Sequence, residues 1–169
     1  MKTVGYAAKS EGAQLGEYTF ERRDLRDNDV EIEILYCGVC HSDLHAVRND
    51  WGGSRYPLVP GHEIVGKVKA IGSAVKNYEK GDTVAVGCMV DSCQSCKQCD
   101  NGEEQFCQEG MVGTYAGKDR ETGQMTQGGY SKHIVVREEF VLSVPENLEL
   151  SRVAPLLCAG ITTYSPLHK

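Results

Sequence analysis

Four cysteines fall within fifteen residues of the segment DSCQSCKQCDNGEEQFC, and this cluster constrains the fold more than any other feature of the chain. Their spacing is C-x2-C-x2-C-x7-C, and thiolates at such intervals can converge on one tetrahedral ion. The insert DNGEEQF is polar and brings no core of its own. We therefore expect a structural zinc that holds a loop lobe and leaves no open coordination position, with the ligands Cys93, Cys96, Cys99 and Cys107.

Three other chemistries use closely spaced cysteines. Disulfides need an oxidising compartment, and the first residues, MKTVGYAAKSEG, lack the long apolar stretch of a signal peptide. A C-x-x-C redox pair would not account for four cysteines, and the ferredoxin pattern has its fourth cysteine closer and followed by proline, whereas Gln108 follows Cys107. These alternatives are weaker than zinc. Cys88, which precedes the cluster, is predicted to be a buried residue at a strand end.

Size and charge narrow the class of protein. A chain of 169 residues suits one domain, or one domain and the start of another, and a hydrophobic fraction of 40% can fill a core. A net charge of −6 gives no basic surface for nucleic acid or for an anionic membrane. No apolar run approaches the ~20 residues that span a bilayer. We expect a cytoplasmic enzyme that acts on small molecules.

Short apolar segments separated by glycines indicate strands. In VEIEILY the residues alternate between an apolar and an acidic face, which is typical of a half-buried strand. Short strands at this spacing favour a mainly β barrel or sandwich. A helical turn is predicted at 42–47, and a later helix is predicted with Ser151 as its N-cap. The strands are predicted at 30–36, 63–72, 82–87, 130–136 and 140–145.

Two further segments, CGVCHSDLH and PGHE, combine cysteine, histidine and carboxylate side chains. Two cysteines and one histidine, with water in the fourth position, form one of the known catalytic zinc sites. Taken singly, however, these residues are ambiguous. A lone histidine is usually only a hydrogen-bonded polar residue, and Glu63 alone could be an exposed charge on a strand.

The segment GHEIVGKVKAIGSAV matches the zinc alcohol dehydrogenase signature at each of its positions. Together with CGVCHSDLH and the four-cysteine lobe, the chain resembles the medium-chain, zinc-dependent alcohol dehydrogenases, and most of all their cinnamyl alcohol dehydrogenase branch. The resemblance implies a GroES-like, partly open β-barrel with short helices and a zinc-stapled lobe. It divides the chain into a zinc-binding catalytic domain at 1–150 and the helical start of a Rossmann-fold cofactor domain at 151–169.

Carried over residue by residue, the resemblance makes Cys40, His62 and Cys158 the ligands of a catalytic zinc, the second zinc of the chain. Glu63 would be a nearby or alternating ligand, or else a merely structural carboxylate beside the site. Cys37 matches no ligand position and is expected in the core.

The resemblance also assigns roles in proton transfer and in binding. Ser42 occupies the position of the relay hydroxyl, where the branch commonly has threonine, and His45 the position of the imidazole that passes the proton outward. Without the resemblance, Ser42 would be taken for a helix N-cap and His45 for a surface residue. His41 matches a contact to the cofactor phosphate and Thr162 a residue beside the nicotinamide. The positions that line the substrate cleft are Asp50 and Trp51.

No glycine-rich G-x-G-x-x-G turn, which a dinucleotide-binding unit usually needs, occurs in the sequence. We therefore expect a truncated catalytic domain with no turnover by itself. Its parent would be an NADP-linked dehydrogenase of primary alcohols, or aldehyde reductase, that dimerises through the domain this chain lacks. The alternatives are a non-catalytic zinc-binding GroES-like module and a zinc-free reductase relative, the latter disfavoured because both ligand sets are present.

Overall fold

Short strands dominate the computed structural model, which describes residues 1–168. The strands are β1 (Lys2–Ala7), β2 (Gly16–Glu21), β3 (Asp29–Cys37), β4 (Ile64–Ile71), β5 (Thr83–Val86), β6 (Met89–Asp91), β7 (Val112–Gly113), β8 (His133–Arg137) and β9 (Leu142–Ser143). The α-helices are α1 (His41–Arg48), α2 (Lys97–Asp100), α3 (Leu150–Val153) and α4 (Ala159–Leu167), and 3-10 helices span Glu104–Phe106, Glu138–Phe140 and Ala154–Leu157. Lys169, the end of the predicted helical segment, lies outside the described residues. No helix among residues 1–168 is long and apolar enough to cross a membrane.

The central sheet has five antiparallel strands in the order β8-β3-β4-β5-β9. Alternation along β3 directs Val30 and Ile32 into the core, where neither is exposed, while Glu33 faces solvent. Each such side chain stabilises the fold by about 1.5–3 kcal/mol when it is fully buried. The aliphatic residues that pack with them from β4, β5 and β8 are Ile64, Val68, Val84, Val86, Ile134 and Val136.

The sheets are not closed into a barrel. In the described residues, strands β1 and β2 form one small two-stranded sheet and β6 and β7 form another, both separate from the central one. An isolated bridge between Gly5 and Ser131 connects β1 to the segment that precedes β8. This mainly β arrangement with few short helices confirms the predicted fold class.

Three of the five predicted strands, β3, β4 and β5, are confirmed within two residues at each end. Strand β8 begins at His133 instead of Tyr130, because the backbone amides before it bond outside the sheet. The amide of Tyr130 donates to the carbonyl of Pro60, and that of Lys132 donates to the carbonyl of Val4. The predicted strand at 140–145 was largely wrong: Phe140 ends a 3-10 helix, and only Leu142–Ser143 pair with β5.

Both predicted helix starts need correction. Helix α1 begins at His41 with Cys40 as its N-cap, so Ser42 lies inside the helix and does not cap it. The late helical segment begins at Leu150 with Glu149 as N-cap, so Ser151 is its second residue, and its hydroxyl bonds to the carboxylate of Glu149. The helical character of this segment is confirmed through Leu167.

An ionic network joins the segment before β3 to a turn at 119–122, beyond the cysteine lobe. Arg23 pairs with Asp29, which is 2% exposed, and its Nε lies 3.4 Å from Asp119. Arg26 places its Nη2 2.8 Å from the Oδ1 of Asp119. Burial by itself would raise the pKa of Asp119, but hydrogen bonds from Arg26 and from the turn at Thr122 lower it below its usual value. The network therefore depends on an ionised Asp119.

We expect Asp119→Asn to lower the free energy of unfolding at pH 7 by about 1–3 kcal/mol, since it leaves buried donors without their charged partner. The folded-state pKa is below the unfolded one of about 3.9, so this contribution is complete above about pH 4 and is lost as the pH falls further. Urea unfolding should be measured at pH 7 and well below pH 4. The difference in free energy of unfolding between wild type and Asp119→Asn should be smaller at the acidic pH.

The control is Glu121→Gln, because Glu121 also pairs with Arg26 but is 69% exposed. An exposed pair contributes at most about 1 kcal/mol. An Asp119→Asn effect that is equally large at both pH values would contradict the ionic explanation.

Candidate metal centres

The cysteine lobe is connected to the rest of the fold by the two-stranded sheet β6–β7. Strands β6 and β7 pair Met89 with Gly113 and Asp91 with Val112, so the lobe leaves and re-enters the fold at one place. The four sulfurs of Cys93, Cys96, Cys99 and Cys107 all lie within 4.8 Å of one another. The structure thus brings together all four cysteines that the spacing assigned to a structural site.

Backbone amides donate hydrogen bonds to two sulfurs of the lobe. The amide of Cys93 lies 3.4 Å from the sulfur of Cys107, and the amide of Gln108 lies 3.4 Å from that of Cys96. Amide hydrogen bonds from Cys99 and Gln108 lower the pKa of the Cys96 thiol to about 6. Four convergent thiols match the donor set of a closed tetrahedral zinc site.

The second cluster assembles from three separate parts of the chain. Cys40 caps α1, His62 and Glu63 immediately precede β4, and Cys158 caps α4. One donor atom of each lies within 4.8 Å of the others, and the sulfurs of Cys40 and Cys158 are 3.8 Å apart. His62 and Glu63 are 4% and 2% exposed, whereas Cys40 and Cys158 are half-buried. Two thiols and an imidazole are donors that suit zinc with one position left open.

A glycine makes the approach to His62 possible. Gly61 has a φ of +100°, which side chains other than glycine rarely adopt. A Cβ at this position would also lie 2.6 Å from the ring of Tyr130. The glycine therefore allows the chain to turn beneath Tyr130 and to present His62 to the cluster.

Asp43 organises the site, and the sequence reasoning did not identify it. Its Oδ1 lies 3.0 Å from Nδ1 of His62 and accepts the amide of Gly61 at 2.9 Å, while its Oδ2 accepts the amide of Cys40 at 3.0 Å. Because Nδ1 of His62 faces Asp43, Nε2 is free for a metal, and such carboxylate–histidine pairs orient metal ligands. The only available signal was an acidic residue in the first turn of a helix that follows a candidate ligand.

The ionisation of Asp43 follows from its partners. Burial by itself would raise the pKa of Asp43, but hydrogen bonds from His62 and from the amide of Cys40 lower it. The hydroxyl of Tyr130 adds a further bond to Oδ2 at 3.1 Å. Conversely, burial opposes the charge on His62, yet Asp43 raises the pKa of the imidazole. The pair is therefore an ionised carboxylate that holds a histidine ring in one orientation.

The predicted proton-transfer residues lie along α1. The hydroxyl of Ser42 is 3.6 Å from the sulfur of Cys40. Farther along, Nδ1 of His45 is 2.7 Å from the Oδ2 of Asp50, and the side chains are 35% and 42% exposed. The His45 ring packs between His41 and Trp51, with ring centroids 4.6 and 4.9 Å away. Asp50 and Trp51, predicted in the substrate cleft, both contact His45.

The remaining predicted residues lie near the second cluster. Thr162 is on the exposed helix α4, where its amide donates to the carbonyl of Cys158 at 2.9 Å. Cys37 ends β3 beside the core, as expected, and burial raises its pKa to about 12. The prediction that Cys88 is buried was wrong. Cys88 lies between β5 and β6 and is exposed, with its sulfur 4.0 Å from the carbonyl of Leu157.

Comparison with known proteins agrees with these features. Residues 26–146 match the family model described as the alcohol dehydrogenase GroES-like domain. The chain is 54% identical over 171 residues to "NADP-dependent alcohol dehydrogenase C" of Mycobacterium tuberculosis, and the match covers 99% of this chain and 49% of that protein. It is 52% identical over 166 residues to "Probable cinnamyl alcohol dehydrogenase 8C" of Oryza sativa, where 97% of this chain and 38% of the relative are covered.

Solved structures give the same result. A cinnamyl alcohol dehydrogenase of Sorghum bicolor superposes with a TM-score of 0.96 at 46% identity, over 99% of this chain and 48% of that one. The structure of CAD from Helicobacter pylori complexed with NADP(H) gives the same values. The chain thus spans about half the length, or less, of these relatives. It belongs to the zinc-dependent medium-chain alcohol dehydrogenases, in their cinnamyl alcohol dehydrogenase-like branch, and carries their GroES-like domain.

Proposed function

We propose that this chain supplies the catalytic zinc site of an NADP-linked alcohol dehydrogenase or aldehyde reductase that acts on primary alcohols and aldehydes. The observation that carries the proposal is the difference between its two clusters. The lobe offers four thiols and no other donor, whereas Cys40, His62 and Cys158 offer three donors beside a carboxylate. Only the second set leaves a position for a substrate oxygen.

We also infer the division of the chain from its resemblance to the family. Residues 1–150 form the GroES-like catalytic domain, and 151–169 form the start of the cofactor domain. Support comes from the relatives, which include an "NADP-dependent alcohol dehydrogenase C" and an "Aldehyde reductase YahK" of Escherichia coli. Since those proteins are about twice as long, the whole reaction and the homodimer are proposed for a protein of that length.

Zinc held by these ligands would act as a Lewis acid that lowers the pKa of a bound alcohol or polarises an aldehyde carbonyl. Asp43 fixes the tautomer and orientation of His62. Ser42, beside Cys40, can accept the alcohol proton and donate its own, because a hydroxyl is both donor and acceptor.

His45 carries the proton onward to solvent. Its ring packs against the tilted rings of His41 and Trp51, and Nδ1 faces the carboxylate of Asp50. An imidazole exchanges protons readily near neutral pH, which suits a group at the mouth of a proton path. Asp50 therefore orients and polarises His45, in addition to bordering the substrate cleft together with Trp51.

The cofactor assignments rest on place in the chain. His41 is the first residue of α1 and is exposed, so it is accessible to a phosphate group of NADP. Thr162 lies one helical turn beyond Cys158, and we assign it the contact with the nicotinamide. We assign the protein to the cytoplasm because its cysteines form two metal-ligand groups, which a reducing compartment preserves.

Zinc content tests the proposal. We expect about two zinc ions per wild-type chain by elemental analysis after exhaustive dialysis, one for each cluster. His62→Ala should retain about one zinc and the wild-type circular dichroism spectrum, because the lobe is left intact. Cys99→Ser should lower folding yield or solubility, since the lobe has no core of its own.

The matched control is His41→Ala, which removes an imidazole one residue from Cys40 but outside the metal cluster. Its zinc content should equal that of the wild type. A wild-type chain with about one zinc, unchanged in His62→Ala, would instead indicate the non-catalytic GroES-like module.

The role of Asp43 gives a separate prediction. Asp43→Asn should weaken zinc binding at the second site by about 10- to 100-fold, because the neutral amide no longer balances His62 or fixes its ring. Competition with a colorimetric chelator measures this affinity. Asp50→Asn, which removes a carboxylate from the same helical region, should leave the affinity unchanged. Equal zinc affinities of Asp43→Asn and wild type would show that Asp43 does not orient the ligand.

A further inference from the structure

The carboxylate of Glu63 lies in the space where a side chain of residue 38 would be, and this space, the notch, is open because residue 38 is glycine. A Cβ on Gly38 would overlap the Oε2 of Glu63 and would lie 3.0 Å from its Cβ and 3.1 Å from its Cδ. The overlap with Oε2 can be relieved only if the carboxylate moves away, and the contact with the Cβ of Glu63, which is fixed by the backbone, stays tight. Gly38 and the Glu63 side chain therefore share one space.

The backbone holds this space in place. The amide of Gly38 donates to the carbonyl of Glu63 at 2.8 Å, and the adjoining residues Cys37 and Ile64 pair in the β3–β4 ladder. Gly38 does not have the left-handed φ that would call for glycine on conformational grounds. Glycine at position 38 is therefore required because it leaves space for the Glu63 side chain, and not because of its backbone conformation.

If the Glu63 carboxylate left this notch, the polar site beside it would be the second metal cluster. Glu63 is 2% exposed, so water is not within easy reach. One of its oxygens already lies within 4.8 Å of the donor atoms of Cys40, His62 and Cys158.

We propose that Gly38 is a positioning residue that keeps the Glu63 carboxylate in its notch, and thereby keeps the fourth coordination position at Cys40, His62 and Cys158 open. The inference rests on the proposed function, because it needs a metal at that site. A side chain at 38 would push Glu63 onto the metal and close the site with four protein ligands. Gly38 acts through Glu63 and touches neither substrate nor cofactor.

The test uses Co²⁺ as a spectroscopic probe and imidazole as an external ligand. The 169-residue chain is reconstituted with Co²⁺, and the His62→Ala spectrum is subtracted to remove the contribution of the lobe. Imidazole titration of the remaining bands then reports the open position. In Gly38→Ala we expect imidazole to bind about tenfold more weakly, or not at all, and zinc to leave for a chelator about tenfold more slowly.

Two variants make the result specific. Gly16→Ala is the matched control, because a Cβ at Gly16 meets nothing within 4 Å and its φ is not left-handed, so its imidazole binding should be unchanged. Adding Glu63→Ala to Gly38→Ala should restore imidazole binding to within about twofold of Glu63→Ala alone. Weakened binding that persists in this double variant, or wild-type binding in Gly38→Ala, overturns the proposal.

Failure of the proposed function would look different, because the wild-type chain would then show no cobalt bands that depend on His62. Should Gly38→Ala fold poorly, the titration is repeated in a Glu63→Asp background with and without Gly38→Ala, since the shorter side chain lessens the overlap. Weaker imidazole binding in the variant with alanine supports the proposal, and equal binding in the two contradicts it.

Discussion

The antiparallel pairing of β3 with β4 is the interaction on which the second metal cluster depends. Cys37 pairs with Ile64 at the end of the ladder. Cys40 lies three residues beyond one partner, and His62 lies two residues before the other. A slip of one residue would turn each side chain to the opposite face. The apolar face of β3, with Val30 and Ile32 fully buried, fixes the register and therefore the cluster.

The two clusters are stabilised by different parts of the fold, and this difference matches their proposed roles. The lobe is local: its four sulfurs come from residues 93–107, and nearby amides bond to them. The second cluster draws its donors from residues as far apart as Cys40 and Cys158. The donors of the lobe are close together in sequence and do not need the central sheet to meet. The second site exists only when the sheet and the segment before α4 are both in place.

What the sequence could predict follows the same division. The strands with strong alternation, the lobe and both ligand sets were predicted, because spacing and resemblance are properties of the chain itself. The contacts of Asp43 and Tyr130 were not predicted, since residues 87 positions apart meet only through the tertiary fold. The exposure of Cys88 was missed for a similar reason: its position depends on how β5 passes to β6 beside Leu157.

Two carboxylates at one site show how environment assigns different roles to similar groups. Asp43 is buried, yet hydrogen bonds from His62 and from the amide of Cys40 lower its pKa, so its charge is secured by donors. Burial raises the pKa of Glu63, although the nearby His62 and the amide of Ala159 act in the opposite direction. Asp43 is therefore suited to hold a ligand permanently. Glu63 has fewer donors to secure its charge, and the room at Gly38 determines where its carboxylate stays.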